Sequence, residues 1–289
     1  MLKRLLLMLL CSGSMSLQAA ITVMDDTGRN VTLEQPASRI VSLAPHVTEQ
    51  LFAIGAGEKI VGAVDYSDYP EQAKAIPRVG GYSRLDLERI LALQPDLVVA
   101  WKSGNDGRAI ERLQALGVTV YWSEPHRLPD IADGMARLGT LVGEAEMAQQ
   151  QAETFHQRLD ELRRQNRGGK KRTVFYQIWN RPLMTVSGQH LINDVITLCG
   201  GSNIFADLET LTPTVSLEAV LVADPEVIVA SGMGKARPEW LDDWKAWPQL
   251  QAVKANRLHV IDPNIIQRAT PRLLLGAEQM CRFLRYEEE

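Results

Sequence analysis

The spacing of apolar and polar positions is the same in two distant parts of the chain. Residues 86–100 read DLERILALQPDLVVA, and residues 216–230, which lie 130 positions on, read SLEAVLVADPEVIVA. Leu87, Ile90 and Leu91 in one copy, and Leu217, Val220 and Leu221 in the other, fall on one face of a helix. Asp86 and Ser216 are good N-caps for those helices. Pro95 and Pro225 end them, because proline disfavours helical geometry in the residue before it. The unbroken apolar runs DLVVAW and EVIVAS then predict strands buried on both faces, as in a parallel sheet.

A looser echo links residues 52–63, FAIGAGEKIVGA, with residues 196–207, ITLCGGSNIFAD. Each has a helix end, then glycines, then a strand. RIVSLAP and TVFYQIW supply plausible first strands for the two halves. The predicted architecture is α/β, with two Rossmann-like lobes at residues 21–142 and 168–289. Between them, Met147, Ala148, Ala152, Phe155, Leu159 and Leu162 recur at helical spacing with charges on the other face. This predicts one long bridging helix over residues 143–167, about 37 Å at 1.5 Å per residue.

The N-terminus changes what the fold must explain. MLKRLLLMLLCSGSMSLQAA carries Lys3 and Arg4, a short apolar run, and small residues up to Ala19 and Ala20. That pattern predicts a signal peptide over residues 1–20, with an apolar run too short to span a bilayer. Cys11 as a lipidation site is disfavoured by Leu10, where a small residue is wanted. Losing Lys3 and Arg4 moves the formal net charge from −4 to −6. An exported acidic chain, with no later segment apolar enough to be membrane-embedded, argues against nucleic acid and anionic lipid as partners. The remaining cysteines, Cys199 and Cys281, are then expected to pair, the alternative being two separate buried thiols.

Four segments carry a family resemblance: RIVSLAPHVTEQLFAIGAGEKIVGAVDYSDYP, VGGYSRLDLERILALQPDLVVAWKSGN, CGGSNIF and QRATPRLLLGAEQMC. They resemble the class III periplasmic substrate-binding proteins of ABC importers, and within that class the cobalamin-binding members. The resemblance implies a monomer that clamps cobalamin between its lobes as transported cargo, with no resident cofactor. It also implies docking onto the importer permease and its ATPase subunits through one glutamate per lobe, here Glu88 and Glu218. The same glutamates, two residues past an N-cap, would complement a helix dipole in any case. The family's ligand positions match Pro45, Tyr66, Tyr82 and Trp101 in the first lobe, and Trp179, Thr212, Pro213, Asn264 and Arg268 in the second.

A corrin is a large, mostly apolar disc fringed with amides, so aromatic walls with a few placed polar groups suit it. Tyr82 and Thr212 stand where the resemblance expects tryptophan, and Asn264 where it expects aspartate. Haem-binding members use a tyrosine near Tyr82 as an iron ligand, which makes haem or an iron chelate the alternative cargo. Another class of reading is an exported corrinoid-modifying enzyme or hydrolase. The chain carries no G-x-x-x-x-G-K-[ST] loop, G-x-S-x-G elbow or H-E-x-x-H motif. His46-x-x-Glu49 is the one spacing that could assist a metal, with a cap or cleft-rim histidine as the simpler reading. Trp240, Trp244 and Trp247 read as packing or rim residues.

Overall fold

The computed structural model describes residues 20–168, 171–232 and 238–285, so the predicted signal peptide lies outside the described residues apart from Ala20. Two short strands come first, β1 (Ile21–Met24) and β2 (Asn30–Leu33), paired antiparallel. The Asp25 carboxylate closes their turn by accepting from the Thr27 hydroxyl at 2.7 Å and from the Thr27 and Arg29 amides. Four-residue strands give too short a pattern to be read from sequence, and this hairpin was not anticipated.

The first half then runs β3 (Ile40–Ser42), α1 (Pro45–Ala53), β4 (Ile60–Ala63), a small β5–β6 hairpin (Gly80–Gly81, Arg84–Leu85), α2 (Leu87–Ala92), β7 (Leu97–Trp101), α3 (Gly107–Ala115) and β8 (Val120–Ser123). Its sheet is parallel in the order β4-β3-β7-β8. Helices α4 (Leu128–Val142) and α5 (Ala145–Gln165) follow. The second half runs β9 (Arg172–Gln177), the hairpin β10–β11 (Trp179–Asn180, Leu183–Met184), α6 (Leu191–Leu198), β12 (Gly201–Asn203), α7 (Leu217–Ala223), β13 (Val227–Ala230), α8 (Gln251–Lys254), β14 (Leu258–Val260), α9 (Pro263–Ile266) and α10 (Leu273–Leu284). Its sheet is parallel in the order β12-β9-β13-β14. Numbered within each half, both sheets have the order 2-1-3-4. The repeated phrase is therefore the α2–β7 unit in one half and the α7–β13 unit in the other.

The repeat extends to its polar anchors. Asp86 accepts from the Arg89 amide at 3.0 Å and Ser216 from the Ala219 amide at 3.1 Å, each capping its helix. Gln94 and Asp224, the residues before the two prolines, both take left-handed backbone angles, φ 48° and 41°. Asp96 accepts from the Ser38 and Arg39 amides next to β3, and Glu226 accepts from the Thr173 amide in β9. Each acid thus ties the strand it begins to the neighbouring strand of its sheet.

Helix α5 occupies the predicted stretch, with Ala148, Ala152, Phe155, Leu159 and Leu162 buried. Met147 departs from expectation and is 45% exposed. Packing against α4 is close enough that a Cβ on Gly139 would stand 2.1 Å from that of Ala148. Trp244 packs edge-on against Phe175 and donates its indole N–H to Gln177 at 2.7 Å, as a packing role requires. No helix among the described residues is long and apolar enough to cross a membrane.

Cys199, at the end of α6, is disulfide-bonded to Cys281 in α10. The enclosed separation of 82 residues gives a chain-entropy stabilisation of about 4.5 kcal/mol as an upper figure. Replacing both cysteines by alanine is expected to lower unfolding stability by about 2–4 kcal/mol, read by urea titration. An unchanged midpoint would show that the crosslink contributes nothing.

Candidate functional site

Parallel α/β sheets bind ligands outside the carboxyl ends of their strands, where the strand order reverses. In the first half that point lies between β3 and β7. The chain leaves β3 into Pro45, the first residue of α1, and leaves β7 at Trp101. Asn105 ties these exits together. Its Oδ1 accepts from the Trp101 amide at 2.7 Å, while its Nδ2 donates to the carbonyls of Leu43 and Tyr82 at 2.9 and 2.6 Å. Tyr82 and Trp101 are thereby brought side by side, ring centroids 5.7 Å apart, and His46 meets Trp101 edge-on at 5.5 Å. Asn105 was not singled out from the sequence beyond lying in a family-like segment, because its three contacts come from distant positions.

The second half presents a different frame. Trp179 begins the β10–β11 hairpin and donates its indole N–H to the Arg181 carbonyl. The segment holding Thr212 and Pro213 runs alongside, with the Pro213 carbonyl accepting from the Thr185 amide at 3.0 Å. Asn264 lies in α9, held by Asp262, which accepts from both its backbone and side-chain N–H at 2.9 Å. Between the two halves is a cavity of about 60 Å³. His46, Trp101, Glu124 and His126 line it from one side, and His190, Leu211, Ile266 and Gln267 from the other. Of the expected ligand residues only Trp101 lines this floor. Tyr66 and Tyr82 are exposed, at 72% and 42%.

The halves are joined beside the cleft by an ion cluster. Glu49, 2% exposed in its side chain, accepts from Arg268 at 2.7 Å and from Arg272 at 2.7 and 2.9 Å. Arg268 also reaches Asp68 at 2.8 Å and the Tyr66 carbonyl at 3.1 Å. Arg272 stacks on Tyr69 at 3.6 Å. Gln50 donates to the Ala269 carbonyl at 2.7 Å, and Asp194 accepts from the Leu128 amide at 2.8 Å. Arg268, expected from the sequence as a polar ligand contact, is thus engaged by two carboxylates. The metal reading of His46-x-x-Glu49 loses its carboxylate to the same two arginines. Losing one partner of such a buried cluster costs about 3–5 kcal/mol. A wider recess of about 520 Å³ adjoins the cluster, lined by Phe52, Tyr69, Pro70 and Arg272, and none of the expected ligand residues borders it.

Glu88 and Glu218 are exposed on the first turns of α2 and α7, and neither makes a side-chain hydrogen bond or ion pair among the described residues. They occupy matching positions on the two halves.

The family pattern described as periplasmic binding protein matches residues 40–265. The chain belongs to this family. It is 40% identical over 255 residues to the vitamin B12-binding protein of Vibrio cholerae, covering 88% of this chain and 91% of that one. It is 41% identical over 248 residues to the vitamin B12-binding protein of Yersinia pestis, covering 86% of each. The crystal structure of the Vibrio cholerae periplasmic vitamin B12-binding protein BtuF superposes with a TM-score of 0.80 at 40% identity, over 86% of this chain and 96% of that one. The periplasmic haem-binding protein RhuT of Roseiflexus shares the fold at a TM-score of 0.75 and 22% identity, over 86% and 97%. The two parallel α/β sheets with a cleft between them are therefore a periplasmic binding-protein fold.

Burial, then the positive charge of Arg268, pushes the His46 imidazole down to about 4. His190 is likewise held down to about 4, by burial and then His126, and its Nδ1 accepts from the Ile192 amide at 3.1 Å to cap α6. Both pKa values lie below the ordinary value, so the unfolded chain binds protons that the folded one does not. Stability from these groups is complete above about pH 6.5 and is lost as pH falls towards 4. From His46 alone the loss should be on the order of 3 kcal/mol at 1.36 kcal/mol per pH unit. Urea unfolding at pH 7 and pH 4.5 checks this, and His46→Leu should show a shallower decline than wild type. Parallel curves for the two proteins would contradict it.

Proposed function

We propose that this chain captures cobalamin, or a closely related corrinoid, in the cleft between its halves and delivers it to an ABC importer. The observation that carries the reading is the Tyr82–Trp101 pair at the carboxyl end of β7, in a chain 40% identical to a vitamin B12-binding protein over most of its length. Drug-sized ligands need cavities of roughly 300–1,000 Å³. The floor cavity is far smaller, so a corrin ring would rest at the cleft mouth, over the exposed faces of Tyr66 and Tyr82. Trp179, Thr212, Pro213 and Asn264 would close on it from the second half, with Pro45 and Arg268 at the margins.

In this reading residues 21–142 and 168–289 act as lobes and residues 143–167 as the rigid link between them. The protein works as a monomer in the periplasm after cleavage of residues 1–20. It returns its cargo chemically unchanged, in keeping with relatives that are binding proteins. The visible spectrum of protein purified from cells supplied with cobalamin tests the assignment. A corrin spectrum supports it, and a Soret band would assign haem instead. Haem is a second reading because the Tyr82 hydroxyl is without a hydrogen-bond partner among the described residues and its side chain is accessible.

Truncating a central aromatic anchor typically costs about 1–3 kcal/mol, or roughly 5- to 150-fold in affinity. Trp101→Ala is expected to weaken cobalamin within that range by fluorescence or calorimetric titration, while the protein stays folded. Tyr82→Phe should bind cobalamin within about twofold of wild type, since the ring face does the packing. Haem retention that disappears in Tyr82→Phe, with no cobalamin binding by wild type, would reverse the assignment.

Glu88 and Glu218 serve as the importer contacts. Changing both to alanine should leave cobalamin affinity within about twofold and reduce uptake by the intact importer. Lysine at both positions should be worse, because like charges would face the permease's basic residues. Normal uptake by the double alanine variant would leave these residues only their helix-dipole role.

A further inference from the structure

His46 is an unexplained expense at the floor of the cleft. Its side chain is buried, 6% exposed overall, and its Nε2 has no hydrogen-bond partner. Orphaned polar atoms in a buried position are destabilising, and native proteins rarely keep them without a use. The ring lines the cavity between the halves and lies against Trp101.

The start of α1 adds a second, independent observation. This nine-residue helix begins at Pro45 after Ala44, which offers no side-chain cap. Thr48 is the first residue whose amide finds an acceptor, the Ala44 carbonyl, so the His46 and Val47 amides have none among the described residues. Free N–H groups at a helix N-terminus attract an acceptor oxygen. Beneath them, a buried chain of Ser42, Thr48 and Ser67 hydroxyls, with contacts of 2.8 and 3.1 Å, holds the helix end in place. The cavity's roughly 60 Å³ admits ordered water or one small polar substituent.

We propose that His46 and the free amides at the start of α1 form a polar subsite for one peripheral carboxamide of the ligand. This rests on the corrinoid reading above. The helix amides donate to the carboxamide oxygen. The imidazole, neutral because burial and Arg268 keep it unprotonated, presents one ring nitrogen, as donor or acceptor according to its tautomer, to a group that both accepts and donates. An apolar floor of the same size would leave the disc resting at the cleft mouth without fixing its rotation there. His46 is in this sense a specificity-determining residue, kept at a cost to the unliganded protein.

The test compares wild type, His46→Leu and His46→Gln, each measured for cyanocobalamin affinity and for melting temperature without ligand. His46→Leu is expected to bind cyanocobalamin roughly 10- to 100-fold more weakly, the loss of one or two buried hydrogen bonds. It should also melt at a higher temperature than wild type at pH 7, since the orphaned nitrogen is gone. His46→Gln, which restores a donor and an acceptor, should recover much of the affinity. Cobinamide, which keeps the carboxamides and lacks the nucleotide loop, should show the same dependence on His46. If cyanocobalamin binding depends on His46 and cobinamide binding does not, the subsite takes the nucleotide phosphate and the carboxamide assignment is wrong. If His46→Leu binds both within about twofold of wild type, His46 faces only water and the subsite is overturned while the corrinoid reading stands. A wild-type protein that binds neither corrinoid overturns that reading and the subsite with it.

Discussion

Glu49 lies on α1 with its carboxylate buried between two guanidinium groups that arrive from the other half of the chain, 219 and 223 residues away. A buried charge is tolerable only when it is paired and hydrogen-bonded, and here three donor contacts satisfy it. The consequence is geometric. Arg268 also holds Asp68 and the Tyr66 carbonyl, and Gln50 beside Glu49 holds the Ala269 carbonyl. The middle of α1, the loop carrying Tyr66 and the segment after α9 are therefore set against one another by a single cluster. Sliding the halves apart at this edge would strip partners from charges already removed from water, so the cluster fixes the relative position of the two cleft walls.

Within each half, position follows from the sheet. Strand β3 ends at Ser42 opposite Val99 while β7 runs on to Trp101, and the change in strand order leaves a notch between their exits. Asn105 fills that notch with three hydrogen bonds and sets where Trp101 and Tyr82 stand. The aromatic wall is thus a product of backbone termination more than of side-chain packing. The second half has the same strand order but builds its wall from a hairpin and an adjoining extended segment. Two copies of one topology have in this way produced unequal faces, as suits a ligand whose two sides differ.

The residues at the cleft floor run against stability. His46 is buried without a partner at Nε2, and α1 starts without a side-chain cap. Both features cost free energy in the unliganded protein, and the His46 ring lines the small cavity between the halves. Functional sites commonly depart from the local rules that the rest of a sequence obeys. By contrast, α6, which stands in the second half where α1 stands in the first, is capped by His190, and the repeated helices α2 and α7 are capped by Asp86 and Ser216.

The periodicity of the sequence by itself determined the two parallel sheets, the repeated helix–strand unit and its caps, because those depend on neighbours three or four residues away. The long helix was legible for the same reason, and the disulfide followed from export and a count of two cysteines. Tyr82, Trp101 and Arg268 were indicated by family resemblance, which names positions without giving their contacts. Only the tertiary structure decided that Arg268 is held by Glu49 and Asp68, that Asn105 unites Leu43, Tyr82 and Trp101, and that His46 is left without a partner. Each of those facts depends on residues brought together from far apart in the chain, and no local spacing encodes which acid meets which base once the sheets have stacked their strand ends into a cleft.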